Sequence, residues 1–523
     1  MSAIQIDRLS FTYPGSYAPV FSDVSFTLDS SWRLGLVGRN GRGKTTLLKL
    51  LCGQLQGRGQ ILTPLQFDYF PFPVEGDQPA LSVLRDAVAP FDAWEQQMAR
   101  LLQKGDEHSL FKWGDIEQAY SAADGYQINA LIEREVNKLG IEPAALTRPF
   151  MSFSPGERTR LLLAALFLRK HRFLVIDEPT NHLDMAGRAL VGEYLAGKQG
   201  FLLVSHDRAF LDRSVDHIMA LQKNSVVITQ GDYSSYRHNK QQQDDFERAQ
   251  HARLTGDINR LKESSRQKAG WSDKVEASKI GQGVADRGYV GAKSAKMMKR
   301  SLAIQARIDR QIEEKEGLLK ELEYTSPINL QPLRHPARQL MSLSEICFGY
   351  DEVDIISDLS LSLEQGERLA ISGGNGSGKS TLLKLMLGEL SPRSGRRGGP
   401  RDLIISSLPQ EAGQLSGTPF ELAQRLQLPT DHFLMLLRKF DFPREAFERD
   451  MRDYSQGQKK KLLLAASMAR PAHLYLWDEP LNYIDVESRE QIESMLAQTT
   501  ATLVFVEHDR RFVDKVATRI LTL

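Results

Sequence analysis

Two glycine-rich segments have the composition of a loop that binds a phosphate chain. Residues 38–45 and 373–380 both match Gly-x-x-x-x-Gly-Lys-Ser/Thr, and each lies between an apolar strand-like run and a helix-like run. Glycines let the backbone N–H groups of such a loop turn toward a phosphate, and the following helix adds the positive end of its dipole. In this motif the lysine reaches the β- and γ-phosphates of ATP, and the Ser/Thr hydroxyl binds Mg²⁺. The residues expected to bind the nucleotide here are Gly38, Asn40, Gly41, Gly43, Lys44, Thr45, Thr46, Gly373, Asn375, Gly376, Gly378, Lys379, Ser380 and Thr381.

An apolar run that ends in Asp-Glu occurs in each half of the chain, as Asp177 with Glu178 and as Asp478 with Glu479. The two aspartates suit the water shell of a Mg²⁺ ion bound to ATP. The two glutamates are placed to polarise an attacking water as general bases. Either pair taken alone could instead cap a helix.

A serine motif precedes each acidic pair. Ser154 and Glu157 have the spacing of a capping box, so an ordinary helix start is one interpretation. The other is that the serine hydroxyl and the N–H groups of a helix N-terminus bind a γ-phosphate. A serine lies 23 residues before the aspartate in both halves, and a histidine lies 29 or 30 residues after it. This matched order and spacing indicates that one domain occurs twice.

The repeated set resembles the ABC ATPase superfamily. The resemblance implies that the two domains face head to tail around two ATP molecules, and that the serine motif of one domain completes the site of the other. It also implies that His206 and His508 contact the γ-phosphate as catalytic residues and that Gln410 contacts Mg²⁺. Tyr13 and Tyr350 stand where the superfamily stacks adenine, although packing in a core or turn is the alternative for isolated tyrosines.

Two composite sites follow from that head-to-tail pairing. The first is expected to contain Lys44, Thr45, Asp177, Glu178 and His206 of one domain with Ser455 and Gly457 of the other. The second is expected to contain Lys379, Ser380, Gln410, Asp478, Glu479 and His508 with Ser154 and Gly156. The cofactors implied are ATP and Mg²⁺, and each nucleotide would join the two domains.

One residue of the first half departs from the superfamily pattern. Phe72 follows residues 69–71 at the place where a glutamine is usual, whereas the second half retains Gln410. We therefore expect the first site to lack one contact to Mg²⁺ or water, and the two sites to hydrolyse ATP at different rates.

The first half is also longer between its lysine and its serine motif. That distance is 110 residues in the first half and 76 in the second, a difference of 34 residues. Charged, helix-forming residues predict an extra helical arm within about 99–139. A solvated hairpin without a partner is the alternative.

The totals indicate a globular chain of two or three domains. It has 523 residues, of which 41% are hydrophobic and 25% are charged. The two cysteines offer no disulfide framework, and the first residues have no signal-peptide pattern. The apolar run at 161–168 is far shorter than the roughly 20 residues that a bilayer requires. We therefore expect a cytoplasmic protein that does not span a membrane.

A strongly basic segment separates the two halves. Residues 253–310 contain 14 Lys and Arg against 6 Asp and Glu, in a chain whose net charge is +1. Helix-forming residues around a glycine-rich tip at about 270–291 predict two antiparallel helices of about 30 residues. Basic and aromatic side chains together suit contact with RNA, while a solvated spacer or a coiled coil is the alternative. The residues expected to face RNA are Trp271, Lys274, Lys279, Arg287, Tyr289, Lys293, Lys296, Lys299 and Arg300.

Two such ATPase domains joined by a basic helical linker resemble the ABC-F proteins, and residues 177–184 match the wording of their first domain. Residues 35–44, 290–301 and 477–485 resemble, more narrowly, the Lsa-type antibiotic-resistance members. The resemblance implies target protection, in which the ATP-bound protein enters the exit site of the bacterial 70S ribosome. It would contact 23S rRNA and peptidyl-site tRNA and push the linker tip toward the peptidyl-transferase centre. Lincosamides, streptogramin A and pleuromutilins are the implied drugs.

The predicted fold class is α/β, with two P-loop ABC-type ATPase domains joined by a long helical-hairpin linker. We place the first ATPase domain at 1–236, the linker at 237–335 and the second ATPase domain at 336–523, in a monomer whose domains pair within the chain. Other functions fit parts of the sequence: a housekeeping ABC-F translation factor, the ATPase subunit of an exporter, and a DNA-handling ATPase. The basic linker argues against the exporter.

Overall fold

The computed structural model describes residues 3–277 and 329–523, apart from residues 16–18, 40, 75–76, 105, 182, 223–224, 351–352, 411–412, 414 and 441. The described chain forms two compact units. The larger contains both repeated halves, residues 3–234 and 329–523, and the smaller contains residues 235–277. Within these residues, no helix has both the length and the apolar character needed to cross a bilayer.

The first half alternates strands and helices. Its strands are β1 (Ala3–Phe11), β2 (Phe21–Asp29), β3 (Arg33–Val37), β4 (Arg58–Leu62), β5 (Gln66–Phe70), β6 (Arg172–Asp177), β7 (Phe201–Val204), β8 (His217–Leu221) and β9 (Val226–Gln230). Its helices are α1 (Lys44–Leu51), α2 (Ala80–Val88), α3 (Phe91–Lys104), α4 (Glu107–Ala122), α5 (Ile128–Lys138), α6 (Pro155–Leu166), α7 (Met185–Ala196) and α8 (Arg208–Ser214). Helix α9 (Tyr233–Ala277) leads out of this half.

The second half repeats this order with fewer helices before the serine motif. Its strands are β10 (Gln339–Tyr350), β11 (Val353–Glu364), β12 (Arg368–Ser372), β13 (Ser394–Gly398), β14 (Ile405–Leu408), β15 (Leu474–Asp478), β16 (Thr502–Val506) and β17 (Arg519–Thr522). Its helices are α10 (Lys379–Leu387), α11 (Pro419–Arg425), α12 (Thr430–Lys439), α13 (Gln456–Ala469), α14 (Val486–Gln498) and α15 (Arg510–Val516). The predicted α/β fold class is confirmed.

A largely parallel sheet forms the centre of each half. Its strand order is β5-β6-β7-β3-β8-β9 in the first half and β14-β15-β16-β12-β17 in the second. Strand β9 runs antiparallel to β8, and the other neighbours are parallel. A second sheet, β2-β1-β4 or β11-β10-β13, shares a hydrophobic core with the helix that follows the glycine-rich loop. The central strands β6 and β15 are continuous apolar runs because layers of side chains cover both of their faces.

The parallel direction of the strands brings the predicted site residues to one edge. Strand β3 ends just before the first glycine-rich loop, β6 ends at Asp177, and β7 ends two residues before His206. Strands β12, β15 and β16 do the same in the second half. Because the carboxyl ends of parallel strands share an edge, side chains that are distant in sequence converge there.

The extra helices of the first half are α3 and α4. They lie between α2 and α5, whereas the corresponding α11 and α12 are separated by residues 426–429 alone. Phe91 of α3 packs edge-on against Trp94 and against Tyr120 of α4, with ring centroids 5.7 and 5.6 Å apart. The predicted range of 99–139 therefore lies too far along the chain. Charged, helix-forming residues also occur in α5, which is amphipathic and has α12 as its counterpart in the second half. Composition therefore did not distinguish α5 from the extra helices α3 and α4.

Helix α9 differs from the prediction at its start and at the expected tip. It is 45 residues long, begins at Tyr233 instead of near 237 and passes through Gly270, so the predicted start of the tip at 270 is wrong. One glycine costs a helix about 1 kcal/mol, which does not end so long a run of helix-forming residues. Trp271 and Lys274 lie on this helix. The other predicted RNA-facing residues, Lys279, Arg287, Tyr289, Lys293, Lys296, Lys299 and Arg300, lie outside the described residues, as does Asn40.

Candidate nucleotide-binding sites

The two glycine-rich loops have matching backbone geometry. Gly43 and Gly378 directly precede α1 and α10 with φ of 90° and 92°, in the left-handed region that favours glycine. A side chain would also collide with the neighbouring strand. A Cβ on Gly43 would lie 2.5 Å from Val20 Cγ1, and one on Gly378 would lie 2.6 Å from Ile355 Cγ2. Both loops therefore require glycine at this position.

Lys44 and Lys379 fold back over the loops that precede them. Lys44 Nζ donates to Gly38 O at 2.6 Å, and Lys379 Nζ donates to Gly374 O at 2.7 Å. Both side chains are buried, and this burial lowers the pKa of both ammonium groups. A phosphate chain in either loop would meet a buried cationic donor.

The two glutamates of the acidic pairs lie close to the predicted histidines. The φ angle is 49° at Glu178 and 47° at Glu479, an uncommon conformation for a residue with a side chain. Each backbone N–H donates to the carbonyl that ends the neighbouring strand, β7 or β16, at 2.9 and 3.0 Å. His206 Nε2 lies 3.5 Å from Glu178 Oε1, and His508 Nε2 lies 3.6 Å from Glu479 Oε1. Each half thus brings a carboxylate and an imidazole to the edge of its glycine-rich loop.

The electrostatic environments of the two glutamates differ. Burial, together with the charge of Asp177, raises the pKa of Glu178 to about 8. Burial acts on Glu479 in the same direction, but hydrogen bonds from His508 and Gln410 outweigh it and hold the pKa of Glu479 below its usual value. Gln410 Nε2 donates to Glu479 Oε1 at 3.0 Å. At neutral pH Glu479 is therefore held in the carboxylate form that accepts a proton, whereas burial favours the protonated form of Glu178.

Phe72 occupies the position that Gln410 has in the second half. Phe70 and Leu408 each pair with the residue directly before the aspartate of their half, and a proline follows each of them. Phe72 and Gln410 come next, so the sheet register aligns them. The guanidinium carbon of Arg169 lies 5.0 Å from the centroid of the Phe72 ring. The first half therefore presents a packed aromatic ring where the second presents an amide.

Ser154 and Ser455 cap the helices that they precede. Ser154 Oγ accepts from Glu157 N at 3.3 Å, and Glu157 Oε2 accepts from Ser154 N at 2.8 Å. Ser455 and Gln458 form the same reciprocal pair. Both serines are exposed on the surface of the unit. The capping interpretation is thus correct, and completion of the opposite ATP site by these serines stays a prediction.

Tyr13 and Tyr350 also occupy matching positions. Each lies edge-on to a phenylalanine two residues earlier, Phe11 or Phe348, with ring centroids 4.9 and 5.2 Å apart. Both tyrosines are exposed, and Tyr13 Oη lies 2.9 Å from Thr46 Oγ1 in α1. The Tyr13 ring is therefore held next to the first glycine-rich loop, a place that suits stacking on a nucleotide base.

The two halves meet beside both glycine-rich loops. Arg39 of the first loop donates to Glu487, at the start of α14, at 2.5 Å. Gly374 of the second loop faces Asp184, whose Oδ2 lies 4.0 Å from the position of a Cβ on that glycine. Each loop therefore meets the segment that follows the acidic pair of the other half, which is the relation expected of head-to-tail domains.

A buried ion pair joins the two halves on one side of their interface. Arg208 donates through two nitrogens to Glu493, and both side chains are buried. The corresponding positions on the other side are Arg510 and Gly192. Arg510 is exposed and lies 3.8 Å from Asp514 of its own helix, and Gly192 has no side chain to accept a bond. The interface therefore lacks the symmetry of the repeat.

Four residues of these sites and their interface were not predicted from the sequence: Tyr69, Arg39, Arg208 and Glu493. Tyr69 Oη donates to Asp177 Oδ2 at 2.8 Å. Burial and the charge of Asp177 raise the pKa of Tyr69, so its hydroxyl remains the donor. A tyrosine in a strand ordinarily indicates core packing, and no local motif marks the partners of the interface ion pairs.

The acidic pairs fit a Mg²⁺ ion bound with ATP. Asp478 Oδ1 and Glu178 Oε1 are buried and have no hydrogen-bond partner among the described residues. A buried carboxylate oxygen is unfavourable unless a cation, a water or another donor satisfies it. The residues that would supply oxygen ligands to such an ion are Thr45 and Asp177 in the first half and Ser380, Gln410 and Asp478 in the second, and this set stays a prediction.

Each half thus combines a phosphate-binding loop, an aspartate suited to Mg²⁺ and a glutamate base at the carboxyl edge of one parallel sheet. This combination defines a P-loop ATPase domain, and the chain contains two of them. The family described as ABC transporter matches residues 21–181 and 356–482, more than half of the chain. The chain therefore belongs to the ABC transporter family, and it is an ATPase with two ABC-type domains.

Similar proteins span nearly the whole chain. YdiF of Bacillus subtilis, named as an ATP-binding protein, is 28% identical over 543 residues, which cover 100% of this chain and 80% of YdiF. ABC transporter F family member 2 of Arabidopsis thaliana is 26% identical over 546 residues, covering 99% of this chain and 76% of that protein. The archaeal ribosome recycling factor aABCE1, solved in complex with the ribosomal stalk protein aP1, superposes with a TM-score of 0.60 at 19% identity. That match covers 98% of this chain and 87% of aABCE1.

Proposed function

We propose that this chain is an ABC-F type ATPase that binds the bacterial 70S ribosome in the cytoplasm and protects it from antibiotics near the peptidyl-transferase centre. The proposal rests on one observation. In the sequence, a segment with 14 basic and 6 acidic residues lies between the motifs of the two ATP sites. Such a segment is complementary to the phosphate backbone of RNA. Similarity to a protein named as an F family member and to one named as a ribosome recycling factor supports the same assignment.

The chemistry assigned to this chain is hydrolysis of ATP. ATP with Mg²⁺ supplies a γ-phosphoryl group that can be transferred to water. Lys44 and Lys379 bind the phosphates from the two loops. Glu479 accepts a proton from the attacking water, and His508, 3.6 Å away, orients that carboxylate. Glu178 has the same task in the first site, but its raised pKa leaves less of it in the carboxylate form that can accept a proton at neutral pH.

ATP binding stabilises the paired arrangement of the two halves. Arg39 with Glu487, and Gly374 with Asp184, already place each loop against the opposite half. Ser455 and Ser154 then supply the remaining γ-phosphate donors from across the interface. Because each nucleotide would contact both halves, its hydrolysis weakens their association and releases the ribosome.

A hydrolysis-deficient protein tests the ribosomal assignment. The double variant Glu178→Gln, Glu479→Gln removes both general bases and leaves both phosphate-binding loops intact. We expect it to co-sediment with 70S ribosomes in ATP and to arrest translation in a cell-free system. The matched control adds Lys44→Ala and Lys379→Ala, which should abolish both effects. Free migration of the double variant in ATP, or capture by membranes, would contradict the proposal.

Drug susceptibility separates drug protection from a housekeeping role, and linker variants test the proposed contact with RNA. Expression of the wild-type chain should raise the inhibitory concentration of lincosamides, streptogramin A or pleuromutilins, whereas the double variant should not. Replacing Lys293, Lys296, Lys299 and Arg300 by glutamate should abolish ribosome binding without lowering ribosome-free ATP hydrolysis. Ribosome binding with unchanged drug susceptibility would favour the housekeeping translation factor.

A further inference from the structure

The first nucleotide site contains a contact that the second lacks. Tyr69 Oη donates to Asp177 Oδ2 at 2.8 Å. Tyr69 lies on β5 opposite Val175 of β6, so its side chain and that of Asp177 lie on the same face of the sheet. The half-buried ring packs against the core cluster that contains Leu47 of α1. The ring is thus anchored in the core of this half while the hydroxyl reaches Asp177.

The second half has a different arrangement around its aspartate. Ser407 pairs with Leu476 as Tyr69 pairs with Val175, so a short, exposed side chain replaces the tyrosine. Asp478 instead accepts a hydrogen bond from Ser380, and its Oδ1 has no donor among the residues described. Gln410 then supplies an amide to the adjacent glutamate at 3.0 Å.

The loop after β5 cannot supply that amide in the first half. Phe72 stands at the glutamine position and packs under Arg169. Arg169 also donates to Ala87 O in α2 at 2.6 Å and lies 3.1 Å from Asp68 Oδ2 of β5. These contacts hold the Phe72 ring against the segment between α6 and β6. Tyr69 is therefore the one described side chain of this strand and loop that bonds to the acidic pair.

We propose that Tyr69 is a positioning residue of the first nucleotide site, where its hydroxyl fixes one oxygen of Asp177 and leaves the other to the Mg²⁺ water shell. This inference rests on the proposed binding of ATP with Mg²⁺ at both sites. The tyrosine orders the carboxylate toward the cation, whereas Phe72 withholds the amide that orients the glutamate base.

The test measures the Mg²⁺ dependence of ATP binding rather than turnover. The parent protein combines Glu178→Gln, which slows hydrolysis, with Lys379→Ala, which confines binding of N-methylanthraniloyl-ATP to the first site. In this parent, Tyr69→Phe should raise the Mg²⁺ concentration for half-maximal binding about tenfold, the factor for losing one hydrogen bond to a charged group. Binding in EDTA should not change, because the phenyl ring keeps the packing of Tyr69.

A matched control removes an equivalent bond elsewhere in the same half. Tyr194 Oη donates to Glu135 Oε2 at 2.8 Å, remote from the acidic pair. Tyr194→Phe should leave the Mg²⁺ dependence unchanged. Equal Mg²⁺ dependence in Tyr69→Phe and in the parent, or an equal loss of binding with and without Mg²⁺, would overturn the inference.

A double-mutant cycle checks that Tyr69 acts through Asp177. The Mg²⁺ shift caused by Tyr69→Phe should vanish in an Asp177→Asn background, because the ordered carboxylate is gone. A full shift in that background would overturn the inference. If the parent shows no Mg²⁺-dependent ATP binding at all, the proposed function fails and this inference with it. If the parent binds ATP and Tyr69→Phe behaves like it, the positioning role alone fails.

Discussion

The two halves of the chain carry the same nucleotide-binding parts, yet the residues around each catalytic glutamate differ. In the second half Gln410 and His508 surround Glu479 and keep it ionised. In the first half, burial beside Asp177 raises the pKa of Glu178 to about 8. Duplication thus preserved the loops and strands that bind phosphate while the side chains that tune the base diverged. Each variant in one half can therefore be compared with the corresponding variant in the other half.

The largest expected contrast is between the two single glutamate variants. Glu479→Gln should lower ATP turnover by about 100-fold or more, the usual contribution of a general base. Glu178→Gln should leave it nearly unchanged, because burial raises the pKa of Glu178 and the second site then supplies almost all of the turnover. A coupled assay of phosphate release at pH 7 measures both. Equal losses would mean that the two sites contribute equally to ATP turnover, which would contradict the difference between the two glutamates.

The one-sided interface predicts the next contrast. Arg208→Met removes two hydrogen bonds from buried Glu493 and leaves it with Lys515 at 3.3 Å, so it should lower the free energy of unfolding by about 2–3 kcal/mol. Arg510→Met, at the corresponding exposed position, should change it by less than about 0.5 kcal/mol. Urea unfolding followed by circular dichroism distinguishes them. Similar changes in both variants would show that the interface is symmetric in solution.

A buried carboxylate gives the first half an acid-sensitive contact at a position where the second half has a leucine. Glu135 lies three residues before the end of α5, where α12 has Leu436. Burial opposes its ionisation, but hydrogen bonds from Lys138, Lys198 and Tyr194 outweigh this and lower the pKa of Glu135 to about 2. The stabilisation is therefore complete above its ordinary pKa of 4.5 and is lost as the pH falls toward 2.

Replacing that carboxylate tests this difference. Glu135→Gln should lower the free energy of unfolding by about 1–3 kcal/mol at pH 7, and by progressively less below pH 4.5. Urea unfolding at pH 7, 5 and 3.5 would report the trend. A loss that does not depend on pH would assign the effect to packing instead of charge.

The smallest expected effect comes from restoring the missing amide. In the Glu479→Gln background, Phe72→Gln should raise single-turnover hydrolysis at the first site severalfold, since one hydrogen bond contributes about 1 kcal/mol. The reciprocal Gln410→Phe, in the Glu178→Gln background, should lower hydrolysis at the second site by a similar factor. Rapid-quench measurements suit both. No change in either variant would mean that the amide does not orient the base.

The parts of the site that a short motif fixes could be read from the sequence. The loops at 38–45 and 373–380, the acidic pairs and the histidines were predicted because each needs particular residues at a set spacing. The parallel sheet then brings them to one edge, as strand–loop–helix order implies. Even the departure at Phe72 was visible, since the repeat supplies Gln410 for comparison.

The contacts that depend on folding could not be read in this way. Tyr69 reaches Asp177 across two strands that lie 108 residues apart, and Arg208 reaches Glu493 across 285 residues. Composition was also a poor guide to boundaries, because α5 and the arm helices α3 and α4 are similarly charged. The same limit applies to helix α9. Gly270 predicted the end of a helix, but the helix continues through it to Ala277.

The left-handed backbone at Glu178 and Glu479 ties catalysis to the stability of the fold. A residue with a Cβ at such φ values is disfavoured by roughly 1–2 kcal/mol relative to glycine. Glycine would relax this strain most fully, but it carries no carboxylate and could not act as the base. Selection for hydrolysis would therefore preserve a locally unfavourable conformation in both halves.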